Sequence, residues 1–377
     1  MGRVEQALLE ILKENGGKEY QAALVSKSGF SRSRVSEVLS KMEKEGLVSR
    51  SPLGIGKNVN VMLNFKGEWS KDSRSGGSRR KIKRWIRLGF TNAAEYPYVV
   101  EFKRLLKDRL DLNADLRIYA NGIEVMRDLS LFRLDLGISP ILTEFMFYSI
   151  GAPIKIIAPA GSGGSSLVVS KENYRMRGSR SKRRKKEVGG GEGEEAGPLI
   201  AATKLSTMEL LMRSCVKKTL LPKLSRVAYS SSPSEMIHGV SSRLVQGACM
   251  WEPYASILLT RRSDEFSRLA RYSELGEHIC CALGVSSKLE SSSPANLDKI
   301  RKIFLESLEK MAKLDRAKLI EPYSTLTGFA PKLLRQVSNE YTYPQELDPS
   351  MVSRQFERAG LEVPAPCSVK DALSSAL

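Results

Sequence analysis

The chain has few of the residues that build metal, disulfide and membrane-spanning structures. Its 377 residues include only two histidines and five cysteines, and the cysteines lack the spacing of a disulfide framework. No group of His, Cys and Asp has zinc-site spacing, and no apolar run is long enough to cross a bilayer. The N-terminal residues also lack the unbroken apolar core of a signal peptide. We therefore expect a cytoplasmic protein with no cofactor, no metal and no membrane association.

Acidic residues are scarce relative to basic ones. The formal net charge is +18, and the isoelectric point is about 9.7. Residues 1–87 carry nineteen Lys or Arg and nine Asp or Glu, so this segment holds ten of the eighteen excess positive charges. A basic excess concentrated at one end of a chain favours a polyanionic partner.

The N-terminal segment has the pattern of three short helices followed by two strands. Val4, Ala7, Leu8, Ile11 and Leu12 form one apolar helical face. A second helix is predicted over residues 19–28, and Ser31 is placed to cap a third that ends at Gly46. The glycines at 54 and 56 suit a tight turn between two strands, the second of which alternates apolar residues at 59, 61 and 63.

Two arginines stand in the first turn of the third predicted helix. The helix macrodipole disfavours cations there, so Arg32 and Arg34 suit a helix end that faces phosphates and base edges. A solvated basic helix end is the alternative. The residues predicted to contact DNA are Ser31, Arg32, Ser33, Arg34, Ser36, Arg50, Lys57 and Asn58.

This segment resembles the MarR-like winged helix-turn-helix regulators over about residues 3–66. The resemblance implies a DNA-binding domain over residues 1–67 with double-stranded DNA as partner. Residues 68–84 are polar, basic and rich in Gly and Ser, which predicts a linker.

Residues 85–377 alternate between short apolar strands and helices. This pattern predicts an α/β fold with a mostly parallel sheet, in two lobes, finished by helices. Residues 171–197 interrupt it with six basic residues among the seven from Arg180 to Lys186, followed by glycines and glutamates. A segment of this composition buries too little apolar surface to fold, so we expect a disordered insertion.

Three stretches of this region are similar to one family of small-molecule binders. They read LGFTNAAEYPYVVEF at 88–102, LDLGISPILTEFMFYSIGAPIKIIA at 134–158 and GACMWEPYASILL at 247–259. They resemble the sulfonate/nitrate/thiamine-precursor-binding family of type 2 periplasmic-binding-protein folds, over about residues 86–360. The resemblance implies a two-lobed domain with a ligand in the cleft between the lobes.

In such a fold, ligands lie at loops that follow the carboxyl ends of strands. Residues carried over by position are Thr91, Asn92, Tyr96, Asn121, Ser139, Gly163, Ser165, Ser206, Thr207, Trp251 and Glu252. Residues 161–166 are expected to form a Gly/Ser loop that offers backbone N–H groups. Amides after Ser206 suit an anion, and the indole of Trp251 suits a flat ligand.

Each of these residues also has a purely structural interpretation. Ser206 is a good helix N-cap, Trp251 is a good packing residue, and residues 161–166 can be plain loop. Cys280 and Cys281 lie in an apolar, strand-like run, so buried thiols are the favoured interpretation and metal binding the alternative.

The two resemblances together imply a ligand-responsive transcription regulator. We expect a homodimer that binds operator DNA and senses a small effector, anionic or flat and heteroaromatic. The alternatives are an enzyme like the thiamine-pyrimidine synthase of the same family, or a cytoplasmic small-molecule-binding protein. Residues 86–237 contain no histidine and Cys280-Cys281 is the one cysteine pair, which disfavours that enzyme.

Overall fold

A computed structural model of the chain describes residues 3–14, 18–45, 47–52, 59–63, 84–172, 197–292, 294–313 and 316–362. The chain divides into two compact units, residues 1–82 and 83–377, and each is described here by itself. Several predicted features lie outside the described residues. They are Lys57 and Asn58, most of the predicted linker, and most of the charged insertion.

The N-terminal unit folds as helices on a small sheet. Its elements are α1 (Arg3–Glu14), β1 (Lys18–Tyr20), α2 (Gln21–Ser28), α3 (Arg32–Lys44), β2 (Val48–Pro52) and β3 (Val59–Leu63). The three strands pair antiparallel in the order β1-β3-β2. Leu8, Leu24 and Leu39 lie in its fully buried core, as the helical spacing of apolar residues predicts.

The C-terminal unit contains two sheets and a set of flanking helices. The helices are α4 (Tyr98–Leu110), α5 (Gly122–Ser130), α6 (Ile141–Ser149), α7 (Thr207–Lys217), α8 (Pro233–Ser241), α9 (Tyr254–Arg261), α10 (Ser287–Ser292), α11 (Pro294–Lys313), α12 (Ala317–Thr327), α13 (Pro331–Val337) and α14 (Pro349–Arg358).

Lobe one is built on a six-stranded sheet. Its strands are β4 (Arg84–Thr91), β5 (Leu112–Tyr119), β6 (Leu136–Pro140), β7 (Ile154–Gly163), β13 (Cys281–Ser286) and β14 (Tyr341–Thr342), in the order β14-β7-β13-β6-β4-β5. β4 runs parallel to β5 and β6, whereas β13 is antiparallel to β6 and β7.

Lobe two is built on a five-stranded sheet. Its strands are β8 (Ser165–Ser170), β9 (Leu199–Ala202), β10 (Arg226–Tyr229), β11 (Gly247–Trp251) and β12 (Phe266–Arg271), in the order β10-β9-β11-β8-β12. β9 is parallel to β10 and β11, and β8 is antiparallel to β11 and β12. The expectation of mostly parallel sheets is therefore corrected to mixed sheets. In lobe one β13 runs antiparallel to both of its neighbours, and in lobe two β8 does the same.

The chain passes from lobe one to lobe two at Gly163–Gly164 and returns through residues 272–280. Both glycines have positive φ, 91° and 64°. A Cβ on Gly163 would lie 2.2 Å from the Glu340 carbonyl oxygen, and one on Gly164 would lie 2.0 Å from the Tyr341 ring. This crossing therefore needs glycine both for its backbone conformation and for its close packing.

The crossing also corrects the prediction of a Gly/Ser loop over residues 161–166. β7 continues to Gly163 and β8 begins at Ser165, so the segment is almost entirely strand. The amide of Gly163 donates to Nε2 of His278 at 3.2 Å, and the amide of Gly164 donates to the Glu340 carbonyl. These N–H groups serve the crossing between lobes and are not free for a ligand.

Candidate functional site

Polar residues from both lobes meet at the carboxyl end of β4. Thr91 ends that strand, and the turn after it carries Asn92, Glu95 and Tyr96. The hydroxyl of Tyr96 lies 3.4 Å from Oγ1 of Thr91 and donates to Sγ of Cys281 at 3.0 Å. The turn is thereby tied to β13, the strand that returns from lobe two.

Glu95 is buried at this junction without a cationic partner. Its side chain is 3% exposed, and its Oε2 lies 3.6 Å from Sγ of Cys281. Its Oε1 has no hydrogen-bond partner and lies so close to the backbone that a Cβ on Gly161 would be 2.1 Å from it. Burial raises the pKa of Glu95 well above its usual range, which favours the protonated acid.

The two adjacent cysteines point their sulfur atoms into the same space. The pairing of β13 with β7 shifts register between Cys281 and Ala282, and Cys280 lies just before the strand. Such an irregularity re-aims side chains that a regular strand would send to opposite faces. The two Sγ atoms are 3.7 Å apart, and Sγ of Cys280 lies 3.6 Å from Oγ1 of Thr207. Burial raises the pKa of Cys281 well above its usual range.

Two further buried polar atoms at the junction lack a close hydrogen-bond partner, although the Ser165 hydroxyl lies near enough to Cys280 to help lower the pKa of that thiol. They are Oδ1 of Asn92, from lobe one, and Oγ of Ser165, from the first residue of β8 in lobe two. Native folds rarely leave such atoms unsatisfied, and each such case needs an explanation. Together with Oε1 of Glu95 they form a set of three unpaired atoms, which we call the unpaired set.

Hydrogen bonds between the lobes surround the junction, although Nε of Arg268 has no partner there. Nε1 of Trp251 donates to the Asn92 carbonyl at 3.0 Å, and the Glu252 carbonyl accepts from the Ala94 amide at 3.0 Å. The Glu252 carboxylate, 0% exposed, accepts from Arg268 at 2.8 Å and from the Ser256 amide at 3.0 Å. These contacts hold the two lobes together around the site.

Several residues predicted to bind a ligand have structural roles. Oγ of Ser206 accepts from the amides of Met208 and Glu209, so it caps α7 and occupies the amides expected to hold an anion. Asn121 caps α5, and its Nδ2 donates to the Ser231 carbonyl of lobe two.

Ser139 and Thr207 are likewise engaged with backbone atoms. Ser139 donates to the Gly122 carbonyl at 3.3 Å, and Thr207 donates to the Cys280 carbonyl at 2.8 Å. Thr91, Asn92, Tyr96, Ser165 and Thr207 are the predicted residues that the structure gathers around the two cysteines or leaves unpaired. As ligand contacts, all the predicted residues remain predictions.

Sequence reasoning missed Glu95 and favoured a packing role for the cysteines, with metal binding as the alternative. The available signal was one acid in the stretch GFTNAAEYP and a cysteine pair in an apolar run. These positions are 186 residues apart, so spacing along the chain does not connect them.

Two surface depressions lie away from the junction that contains Glu95 and the cysteines. One of about 330 Å³ is lined by residues 268–271 with Leu259 and Glu274, and one of about 190 Å³ is lined by residues 170–172 and their neighbours. Neither is lined by Glu95 or the cysteines. The buried junction rather than these depressions combines ionisable groups, atoms without partners and contributions from both lobes, so we take it as the candidate site.

The arginines of the N-terminal unit are partly neutralised by acids. Arg34 is exposed in the first turn of α3 and pairs with Glu37 at 2.8 Å, while Ser31 caps that helix by accepting from the Arg34 amide. Arg50 donates to both Glu43 and Ser40. Arg32 and Ser33 are exposed and Ser36 is half-buried.

Comparison with known families gives two matches. Residues 3–61 match a domain family of unknown function, DUF7343. Residues 81–320 match the NMT1-like family. No curated protein sequence matches the chain.

Several solved structures with a similar fold are named as solute-binding proteins. The ligand-binding component of an ABC-type import system from Staphylococcus aureus, solved with zinc bound, has a TM-score of 0.63 at 17% identity, covering 77% of this chain and 96% of that one. The alkanesulfonate-binding protein SsuA from Xanthomonas axonopodis pv. citri, bound to MOPS, has a TM-score of 0.59 at 17% identity, covering 77% and 97%. The periplasmic nitrate-binding protein NrtA from Synechocystis PCC 6803 has a TM-score of 0.56 at 12% identity, covering 70% and 72%.

These comparisons correct one prediction and support another. The prediction of transcription regulation and DNA binding is wrong as a description of the chain, because the structures similar to it are those of solute-binding proteins. Small-molecule binding and the two-lobed periplasmic-binding-protein-like α/β fold are supported. None of the described helices is both long and apolar enough to cross a membrane. The family match extends over more than half of the sequence, and the chain belongs to the NMT1-like family.

Proposed function

We propose that the C-terminal unit is a non-enzymatic binding domain that encloses a small polar solute between its two lobes. The observation that carries this proposal is the unpaired set of Asn92 Oδ1, Glu95 Oε1 and Ser165 Oγ. A buried polar atom left without a partner costs about 1–3 kcal/mol. A solute that supplies the missing hydrogen-bond partners recovers that free energy on binding. In an open cleft, water molecules supply these partners before the lobes close.

The chemistry of the unpaired set favours a solute that donates hydrogen bonds. Asn92 Oδ1 is an acceptor, and the unpaired carboxyl oxygen of Glu95 can also accept a hydrogen bond. The ionisable groups gathered there are a carboxyl and two thiols, which offer no positive charge to an oxyanion. Of the two classes predicted from sequence, this favours the flat heteroaromatic one, with amino or ring N–H groups, over the anionic one.

Two relatives with this fold are named for oxyanions, one for alkanesulfonates and the other for nitrate. The fold supports a cleft that closes on a small molecule, and the side chains decide which molecule it is. The difference in charge at the site therefore separates this chain from those two relatives.

Thermal-shift measurements test this proposal. The panel contains MOPS, nitrate and ethanesulfonate as anions, and amino-substituted pyrimidines as donors. A solute at one hundred times its Kd stabilises the folded state by about 2.7 kcal/mol. We expect stabilisation by a donor solute and a reduced shift in Ser165→Ala and Asn92→Leu. The exposed Ser263→Ala serves as the matched control and should keep the full shift.

Two outcomes would count against the proposal. Equal shifts in wild type and in the double variant Ser165→Ala/Asn92→Leu would remove the unpaired set from the binding site. Stabilisation by the anions alone would retain a binding cleft but overturn the assignment of a hydrogen-bond-donating solute.

For the N-terminal unit we propose a winged helix-turn-helix fold. Support comes from the element order, the β1-β3-β2 sheet and the capped α3 that packs on β2. The proposal concerns the fold, and contacts of residues 31–36 with a partner stay predictions, as do the homodimer and the cytoplasmic localisation. A crystal structure of the full chain in which residues 47–63 form no hairpin would contradict it.

A further inference from the structure

Glu95, Cys280 and Cys281 form a compact group that the proposed solute site does not fully explain; we call it the Cys–Glu cluster. All three side chains are buried, and their ligating atoms all lie within 4.8 Å of one another. We propose that the Cys–Glu cluster binds a thiophilic divalent cation, for which Zn²⁺ is the best match.

Two of the three distances between ligands of the Cys–Glu cluster match the edges of a zinc tetrahedron, and the third is at most 4.8 Å. Zn–S bonds of about 2.3 Å and Zn–O bonds of about 2.0–2.2 Å at tetrahedral angles separate two sulfur ligands by about 3.8 Å, and a sulfur from an oxygen ligand by about 3.5–3.6 Å. The observed Sγ–Sγ distance is 3.7 Å, and the distance from Sγ of Cys281 to Oε2 of Glu95 is 3.6 Å. A cation can therefore enter with little movement of its ligands.

Hydrogen bonding alone leaves the Cys–Glu cluster poorly satisfied. Thiols are weak donors and weak acceptors, and Oε1 of Glu95 has no partner although its carboxyl group is buried. This orphaned oxygen is independent of the cysteine spacing and points to a missing ligand at the same place. A cation needs no large cavity, so it also suits a junction that is closed around these side chains.

The ligand types narrow the choice of cation. Two thiolates select zinc or copper(I) over magnesium and calcium, which prefer all-oxygen sites. A carboxylate beside them favours a divalent ion. Three protein ligands leave a fourth position, which a nearby hydroxyl such as that of Thr207, a water molecule or the solute itself can fill.

Binding of the cation must release protons. Burial raises the pKa of Glu95 and of Cys281, whereas the hydrogen bond with Cys281 lowers the pKa of Cys280. All three ligands must be deprotonated to coordinate, so Zn²⁺ replaces the protons that they carry in the empty site. This exchange is a measurable signature that adventitious binding by exposed carboxylates does not share.

Metal titration of the reduced, chelator-treated full chain tests the inference. Isothermal calorimetry with Zn²⁺ in two buffers of different ionisation enthalpy gives the stoichiometry and the number of protons released. Titration with Co²⁺ reports thiolate ligation through a sulfur-to-metal charge-transfer band. We expect one ion per chain, release of two to three protons and a clear charge-transfer band.

The variants are chosen to keep side-chain shape. Glu95→Gln should weaken Zn²⁺ binding at least tenfold, and Cys280→Ser/Cys281→Ser should abolish the charge-transfer band. Cys249→Ala removes another buried thiol, one in lobe two, and should change neither. Retention of the band in the double serine variant, or its absence in folded wild type, would overturn the inference.

The measurements can contradict the proposed metal site and the proposed solute site independently of each other. The solute panel is measured with and without a chelator, so solute stabilisation that survives the chelator supports the binding cleft even if no metal binds. One-to-one Zn²⁺ binding without any solute shift would support the Cys–Glu cluster and contradict the proposed function.

Discussion

Two regions at the junction of the lobes each bury a glutamate, and the two carboxyl groups differ in their hydrogen-bond and ionic partners. Glu252 is 0% exposed, and its carboxylate is held by Arg268 and by the Ser256 amide. Glu95 is 3% exposed, its Oε2 lies 3.6 Å from Sγ of Cys281, and its Oε1 has no hydrogen-bond partner. Burial raises the pKa of both groups, and Glu95, which lacks a cation, is affected more.

The difference separates a structural carboxyl from one that awaits a partner. Arg268 extends the first region by also contacting Glu340 at 3.3 Å, and Arg271 contacts the same glutamate at 3.1 Å. This network ties lobe two to the segment before β14, and it gives the Glu252 carboxylate a cationic partner. The Glu95 carboxyl has an unpaired oxygen, and the following predictions test that contrast.

Breaking the Glu252 region should have the largest effect on stability. Arg268→Met leaves a buried carboxyl without its cation, which should lower the free energy of unfolding by about 3–5 kcal/mol. The double variant Arg268→Met/Glu252→Gln removes the uncompensated group and should regain most of the loss. Urea unfolding followed by circular dichroism measures both. A double variant as unstable as the single one would contradict this interpretation.

Protonation of His278 should weaken the crossing between the lobes. Its Nε2 accepts from the Gly163 amide and its Nδ1 faces the Gly276 carbonyl, so the neutral ring fits this site. Burial lowers the pKa of His278 to about 4. The unfolded chain, with a pKa near 6.5, binds the proton more readily, so this stabilisation is complete above pH 6.5 and lost as the pH falls towards 4.

The expected loss is about 3 kcal/mol across that range, from the difference in pKa between the two states. It is measured as the difference in unfolding free energy between wild type and His278→Gln at each pH, which cancels the contributions of other groups. A difference that does not change between pH 7 and pH 4 would show that His278 does not titrate as its surroundings indicate.

Loss of the indole N–H of Trp251 should have a smaller effect on the free energy of unfolding. Trp251→Phe keeps an aromatic ring between the hydrophobic clusters but leaves the Asn92 carbonyl without its donor. We expect a loss of about 1–2 kcal/mol in unfolding free energy. The thermal shift produced by a bound solute should also decrease, because Asn92 belongs to the unpaired set. A variant with wild-type stability and wild-type shift would assign Trp251 to packing alone.

Replacement of Glu95 should have the smallest effect. Glu95→Gln exchanges one neutral group for another at acidic pH, so the change near pH 5 should stay within about 1 kcal/mol. The folded-state pKa of Glu95 is raised, so wild type loses stability as the pH rises above the unfolded value of about 4.3, whereas the variant does not. The variant should therefore gain on wild type between pH 5 and pH 8 in urea unfolding. A large loss of unfolding free energy at every pH would show that the Glu95 carboxyl has a structural role like that of Glu252.

The sequence predicted the fold better than the site. Periodicity located α4 and β4, and the motif around Trp251 identified the two-lobed fold, because both depend on local patterns. The antiparallel strands β12 and β13 and the long β7 follow from how the chain crosses between lobes, which no local pattern encodes. Ser206 was correctly predicted as a possible N-cap. Whether its hydroxyl caps the helix or leaves the amides free for an anion depends on its rotamer and its neighbours in the folded structure.

The site could not be predicted because its members are distant in sequence. Glu95 and Cys281 meet through pairing of β13 beside β6 and β7, and the register shift at Cys281 decides where the sulfur points. Which polar atoms remain unpaired is likewise a property of the folded state. Residue types alone gave a list of candidates, and the structure separates those already satisfied, such as Asn121, from those that are not, such as Ser165.

The most direct test of the central claim is native mass spectrometry of the full chain after incubation with a small-molecule extract from its own cells. The account predicts one small polar molecule per chain, identified after denaturation, that binds wild type and Ser263→Ala but not Ser165→Ala/Asn92→Leu. A wild-type chain that stays free of solute, or a double variant that binds the same molecule equally well, would contradict the claim that the unpaired set receives a ligand.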